Sequence, residues 1–138
     1  MGGFGAIIGF LSVVLATVIG SAITSLIISP LIEMRNLTTR VEKDLTTHRN
    51  IITNPDGSTK ESRIDKANMT LRKDASELTA KADAVPAYRL WSSMQLVPPR
   101  ENVKQAHEKL IFLSNSLSSG DSLENDSKIK EIEDLLNI

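Results

Sequence analysis

The sequence predicts an all-α protein: one transmembrane helix near the N-terminus that continues into a small cytoplasmic helical bundle. Three observations lead there. The 138-residue chain carries 16 basic and 17 acidic residues, and all of them lie from Glu33 onward, so residues 1–32 form an uncharged segment. The rest shows apolar residues at three- and four-residue steps, the period of an amphipathic helix. No stretch alternates in the manner of a half-buried strand, and no repeat of 20 to 50 residues appears. The expected organisation is a transmembrane segment over 1–32, a helical bundle over 33–117, and a linker with a short acidic C-terminal helix over 118–138.

The first element runs from Phe4 to Ser29 without a charge and is rich in Ile, Leu and Val. About 20 helical residues cross a hydrocarbon core, so one spanning helix fits. Gly20-Ser21-Ala22 also offers the small residues of a signal-peptide cleavage site. Against cleavage, no Lys or Arg precedes the apolar run, and the run continues well past that point. Arg35, Arg40, Lys43 and Arg49 follow closely, which places the soluble part in the cytoplasm, the N-terminus outside, and the chain in the inner (plasma) membrane. Gly5, Gly9, Ser12, Ala16 and Gly20 fall within an arc of about 80° at 100° per residue, a small-residue stripe suited to helix packing in lipid and to a homo-oligomer. Thr17, Ser21, Thr24 and Ser25 occupy another arc. These hydroxyls either line a pore in an oligomer or bond back to carbonyls of their own helix.

Pro30 marks the exit from the apolar core and predicts a kink. Beyond it, Leu31, Met34, Leu37, Val41, Leu45, His48 and Ile52 predict an amphipathic helix that ends at the turn signal Asn54-Pro55-Asp56-Gly57. Ser58 with Glu61 reads as a capping box opening the next helix. In that helix Ile64, Ala67, Leu71, Ala75, Leu78, Ala82 and Val85 face inward, and the mixed charges opposite form a solvated face. Pro86 stops it. Residues 86–94 predict a short helix presenting Tyr88, Leu90, Trp91 and Met94, and Pro98-Pro99 starts another whose inner stripe is Val103, Ala106, Leu110, Leu113 and Leu117. Ser118 to Asp126 is polar and helix-poor and reads as a linker or disordered stretch. Lys128 to Leu136 predicts a last helix with Ile129, Ile132, Leu135 and Leu136 on one side.

Function classes narrow by composition. With no cysteine, a disulfide-stapled fold, a thiolate metal site and a cysteine nucleophile are excluded. A net charge of −1 and few aromatic residues argue against nucleic acid as a partner. His48 and His107 are the only histidines, and no spacing presents three metal ligands, so neither metal nor other cofactor is called for. A phosphate-binding glycine loop and a nucleophile elbow are missing as well. Both histidines fall within apolar stripes, which reads as packing. Tyr88 and Trp91 serve either as a plug between helices or as an interface for a protein partner that remains unidentified. Asn36, Asn68 and Asn125 open glycosylation-type triplets, a number ordinary for this composition and unused in a cytoplasmic setting.

Arg100 and His107 are seven residues apart on nearly one helix face, about 10 Å along the axis. The spacing resembles, faintly, the Arg and His of HEPN-type helical ribonucleases, with six residues intervening and Glu101 directly after the Arg. That resemblance implies His107 as general acid/base and Arg100 as a phosphate stabiliser. A second likeness covers roughly residues 20 to 117. The order of apolar helix, Ser29-Pro30-Leu31-Ile32-Glu33, Asn54-Pro55-Asp56-Gly57, Leu71-Arg72 to Ala84-Val85-Pro86, Leu96-Val97-Pro98-Pro99-Arg100 and Leu113-Ser114-Asn115-Ser116-Leu117 resembles short prokaryotic single-pass membrane proteins of uncharacterised activity. It implies a bacterial or archaeal inner membrane and carries over no functional residues. The leading expectation is a non-enzymatic membrane protein that self-associates through its apolar helix and binds protein through its bundle. The alternatives are a pore-forming or defence-type effector and a membrane-tethered HEPN-like ribonuclease.

Overall fold

A computed structural model describes residues 3–54, 61–118 and 121–138, and of residues 3–6 and 8 the backbone alone. The turn expected over 55–57 and the Ser58 cap lie outside the described residues. All regular structure among the described residues is helical: α1 (Gly3–Ile23), α2 (Ser29–Thr53), α3 (Glu61–Ala84), α4 (Tyr88–Ser93), α5 (Arg100–Ser116) and α6 (Ser122–Leu136).

The helix from Gly3 does not stop at Pro30. It passes through a π-helical turn over Thr24–Ile28, where the Ser29 amide donates to the Thr24 carbonyl, and continues as α2. Proline has no N–H and its ring crowds the carbonyl four residues back; one wider turn just before it absorbs both defects without ending the helix. The irregularity at Pro30 is this π-helical turn. The resulting rod is about 75 Å long at 1.5 Å per residue. The described side chains of its first half, Ile7 and those from Gly9 to Leu26, are exposed, and its second half is one wall of the bundle.

Helices α2, α3, α5 and α6 form a closed square in that order, each packed on the next and α6 returning to α2. Their centre is apolar: Met34, Val41, Leu45 and Ile52 of α2, Leu71 and Leu78 of α3, Leu110 and Leu113 of α5, Ile129 and Ile132 of α6. Ion pairs flank every seam. Arg40 joins Asp74 and Glu77, Lys81 joins Glu33, Arg100 joins Asp83, Lys109 joins Glu131, and Arg49 joins Asp126 and Glu133. These pairs fix an up-down-up-down register in which the start of α2, the end of α3, the start of α5 and the end of α6 share one end of the bundle.

The polar stretch after α5 is shorter than its composition predicts. Helix α6 begins at Ser122 rather than Lys128, because Asp121 caps it through the Leu123 and Glu124 amides. Asn125 is fully buried: its amide donates to the Ile52 carbonyl at the end of α2 (2.7 Å), and its oxygen accepts from Ser116 (2.9 Å). From residue 121 onward the polar side chains supply a cap at Asp121 and a carbonyl partner at Asn125; residues 119 and 120 lie outside the described residues. The side-chain amides of Asn68 and Asn125 both donate to backbone carbonyls, Ser114 and Ile52 respectively.

Candidate functional site

The small-residue stripe lies on the exposed half of the rod. Gly9, Ser12, Ala16 and Gly20 are all at the surface, and a Cβ built on Gly9 or Gly20 meets nothing within 4 Å. Around them Phe10, Leu11, Val13, Leu15, Val18 and Ile19 are exposed as well. The side-chain surroundings of Gly5 lie outside the described residues. Two positions of the hydroxyl stripe bond back to their own helix. Thr17 donates to the Val13 carbonyl (2.8 Å) and Thr24 to the Gly20 carbonyl (2.9 Å). Thr47 and Thr70 make the same bond four residues back in the charged helices, so the pattern is that of hydroxyls satisfied within a helix. Ser21 and Ser25 are exposed beside them.

Arg100 and His107 do share a face, as their spacing predicts. Both line an open cleft of about 690 Å³ between α3 and α5, with Thr79, Asp83, Lys104 and Glu108. Each is engaged with α3. The Arg100 guanidinium donates to Asp83 (2.6 Å) and to the Ala82 carbonyl (3.1 Å), and lies 4.7 Å above the centre of the Tyr88 ring. His107 Nδ1 is 2.8 Å from the Ala75 carbonyl and 3.3 Å from the Thr79 hydroxyl. A carbonyl partner assigns the proton to Nδ1. The pair therefore ties α5 to α3, and a phosphate would have to displace Asp83 from Arg100. Among the described residues no group of three or more His, Asp or Glu side chains is placed to hold a metal ion.

Tyr88 and Trp91 sit at the end of the bundle next to the rod. Tyr88 is buried, with its hydroxyl donating to the Pro98 carbonyl (2.7 Å), and burial pushes its pKa up to about 12 although Arg100 pulls it down. Its ring is thus spent inside the fold. Trp91 is half-buried and its indole N–H donates to the Pro86 carbonyl (2.9 Å). His48 is buried beside Leu45 and Ile52, and desolvation lowers its pKa.

Asp74 is a buried polar residue that its charge hides and its helical spacing reveals. It was grouped by its charge with the solvated face of α3, whereas its side chain is 1% exposed. Arg40 Nε and Nη2 both donate to Oδ1, at 3.2 and 3.0 Å, and Oδ2 is buried without a partner. Burial raises its pKa to about 6; Arg40 opposes the rise, and the facing Asp44 carboxylate adds to it. The available signal was spacing: Asp74 stands three residues after Leu71 and four before Leu78, within the inner stripe.

No protein-family model, curated protein or solved structure matches the chain, so no residue role enters from a relative.

Proposed function

We propose that this is a non-enzymatic, single-pass membrane protein that self-associates through α1 and holds a cytoplasmic four-helix bundle for binding protein. One observation carries the reading: the helix near the N-terminus is long and apolar enough to cross a bilayer, and none of its apolar window is buried by the rest of the chain. In water each exposed Leu, Ile or Phe forgoes about 1.5–3 kcal/mol of burial, and α1 with the π turn exposes many. Lipid removes that cost. A cleaved leader is the poorer account, because cutting after Ala22 would leave Ile23, Leu26, Ile28 and Ile32 exposed at the head of the bundle. The basic residues that follow α1 support a cytoplasmic bundle with the N-terminus outside.

Self-association has a clean test, since the open space at Gly9 makes a larger side chain harmless to the single chain. Gly9→Ile with Ala16→Ile should turn a discrete multimer of the full-length protein in nanodiscs into a monomer, as read by mass photometry or light scattering. An unchanged mass would remove the stripe from the assembly, and a monomeric parent protein would remove self-association altogether.

A further inference from the structure

We infer that the end of the bundle beside the rod is a lipid-docking face, on which Leu90, Met94 and Leu96 enter the headgroup layer of the membrane that α1 crosses. The inference rests on the reading of α1 as a membrane span.

Placement comes first. Helix α4 and the turn after it link the end of α3 to the start of α5, both at the end of the bundle where the rod leaves. Gln95, Leu96, Val97 and Pro98 share a cleft with Met34 and Arg35 of α2, so the turn is level with the first turns of α2. Met34 lies five residues beyond Ser29, about 8 Å at 1.5 Å per residue. A headgroup layer is about 5–8 Å thick on each side of the hydrocarbon core, so a span ending near Ser29 puts the turn at the membrane surface.

Exposure is the second observation. Leu90, Met94 and Leu96 are 54%, 58% and 48% exposed, within seven residues of chain. Single exposed leucines are ordinary; three apolar side chains exposed within seven residues, on a segment that shares a cleft with Met34 and Arg35 of α2, make a patch at the end of the bundle from which the apolar rod leaves. The backbone holds them there. Leu90 and Met94 are one turn apart, with the Met94 amide on the Leu90 carbonyl (3.1 Å). Gln95 adopts a left-handed conformation (φ 59°) and closes the helix, the Gln95 amide on the Ser92 carbonyl and the Leu96 amide on the Trp91 carbonyl, which returns Leu96 toward the same end.

Charge is the third. From Val85 to Arg100 the chain has no acidic residue, and Arg89 is exposed next to Leu90, while exposed Arg35 lines the cleft with Leu96. At this end Glu33 and Asp83 are each paired with a cation, Lys81 and Arg100, so Arg89 and Arg35 are left to meet a bilayer surface containing anionic lipid. The half-buried Trp91 indole belongs to the same short helix, and such rings favour the interfacial layer. Docking here would set the tilt of the bundle and leave its charged flanks to the cytoplasm.

The absence of cysteine makes any introduced one unique. Full-length Met94→Cys, Met69→Cys and Val14→Cys proteins, each carrying an environment-sensitive fluorophore, are reconstituted in phosphatidylcholine vesicles with and without phosphatidylglycerol and with spin-labelled lipid as quencher. All three positions are exposed, so the core is untouched. Lys81 is level with Glu33 through their ion pair, and Met69 lies twelve residues earlier in α3, about 18 Å farther from the membrane. Lipid quenching at Met94→Cys should exceed that at Met69→Cys by about threefold and rise with phosphatidylglycerol, with Val14→Cys quenched in either lipid. Strong quenching at Val14→Cys with Met94→Cys no different from Met69→Cys overturns the docking face and leaves the span intact. A Met94→Cys label shielded from aqueous iodide but not quenched by lipid overturns it in favour of a protein cover. No quenching at Val14→Cys removes the span, and docking with it.

Discussion

Asp74 shows how one residue couples the bundle to pH. Its ordinary pKa of 3.8 rises to about 6 through burial, so between those values the folded chain holds a proton that the unfolded chain has released. Stability from this group is fully present below about pH 4 and is lost as the pH climbs through about 6. The opposite holds for Glu33, Glu77, Asp126 and Glu131, whose pKa values are lowered by Lys81, Arg40, Lys130 and Lys109 respectively. Their contribution is present at neutral pH and is lost as the pH falls through their folded values. In urea unfolding of the full-length protein in mild detergent, the stability of the parent relative to Asp74→Asn should therefore fall between about pH 4 and about pH 6 by as much as about 3 kcal/mol, at 1.36 kcal/mol per unit, a difference in which His48 and the lowered carboxylates cancel. A variant with the parent's slope would place the titration elsewhere.

The helices carry most of their own signals, and their ends show where sequence reading succeeds and fails. Prolines 86, 98 and 99 punctuate α3 and α5 as predicted, and Asp121 caps α6 three residues ahead of Glu124. Two helices end on left-handed residues other than glycine, Gln95 after α4 and Asn137 after α6, each with the paired backbone bonds of the same closing motif. Asn tolerates that conformation, but Gln has no such ease, so its signal was absent from the sequence. Gln95→Gly should stabilise the chain by about 0.5–1 kcal/mol, visible as a higher urea midpoint with an unchanged slope. A lower midpoint would mean that the Gln95 side chain contributes more than its backbone conformation costs.

At the scale of the molecule, the closed ring of helices makes α6 a structural wall. The apolar side expected of this last helix packs in cis: Ile129, Ile132 and Leu136 are buried, α6 packs on α2 and α5, and Asn125 bonds the ends of both. Three such side chains contribute about 5–9 kcal/mol at 1.5–3 kcal/mol each, comparable with the whole stability of a small domain. A chain ending at Leu117 should lose its cooperative unfolding transition and be digested within α2–α5 under conditions where the full chain resists. Retention of a sharp transition would show α6 to be docked onto an already complete core.

Apolar periodicity and charge partition by themselves determined the all-α class, the inner faces of α2, α3 and α5, and the uncharged apolar helix ahead of them, because burial of one helix face selects apolar residues at every third or fourth position. Only the tertiary structure decided which polar residues join the interior and which way the ends face. Asp74, Asn125 and Tyr88 become buried through partners 34, 73 and 10 residues away, Arg40, Ile52 and Pro98. Arg100 and His107 are committed to α3 by contacts that no spacing within α5 encodes. The exposed cluster at Leu90, Met94 and Leu96 gains its meaning from lying where the rod leaves the bundle. A polar group's cost depends on whether a partner is there to satisfy it, and the partner's place is a property of the folded chain.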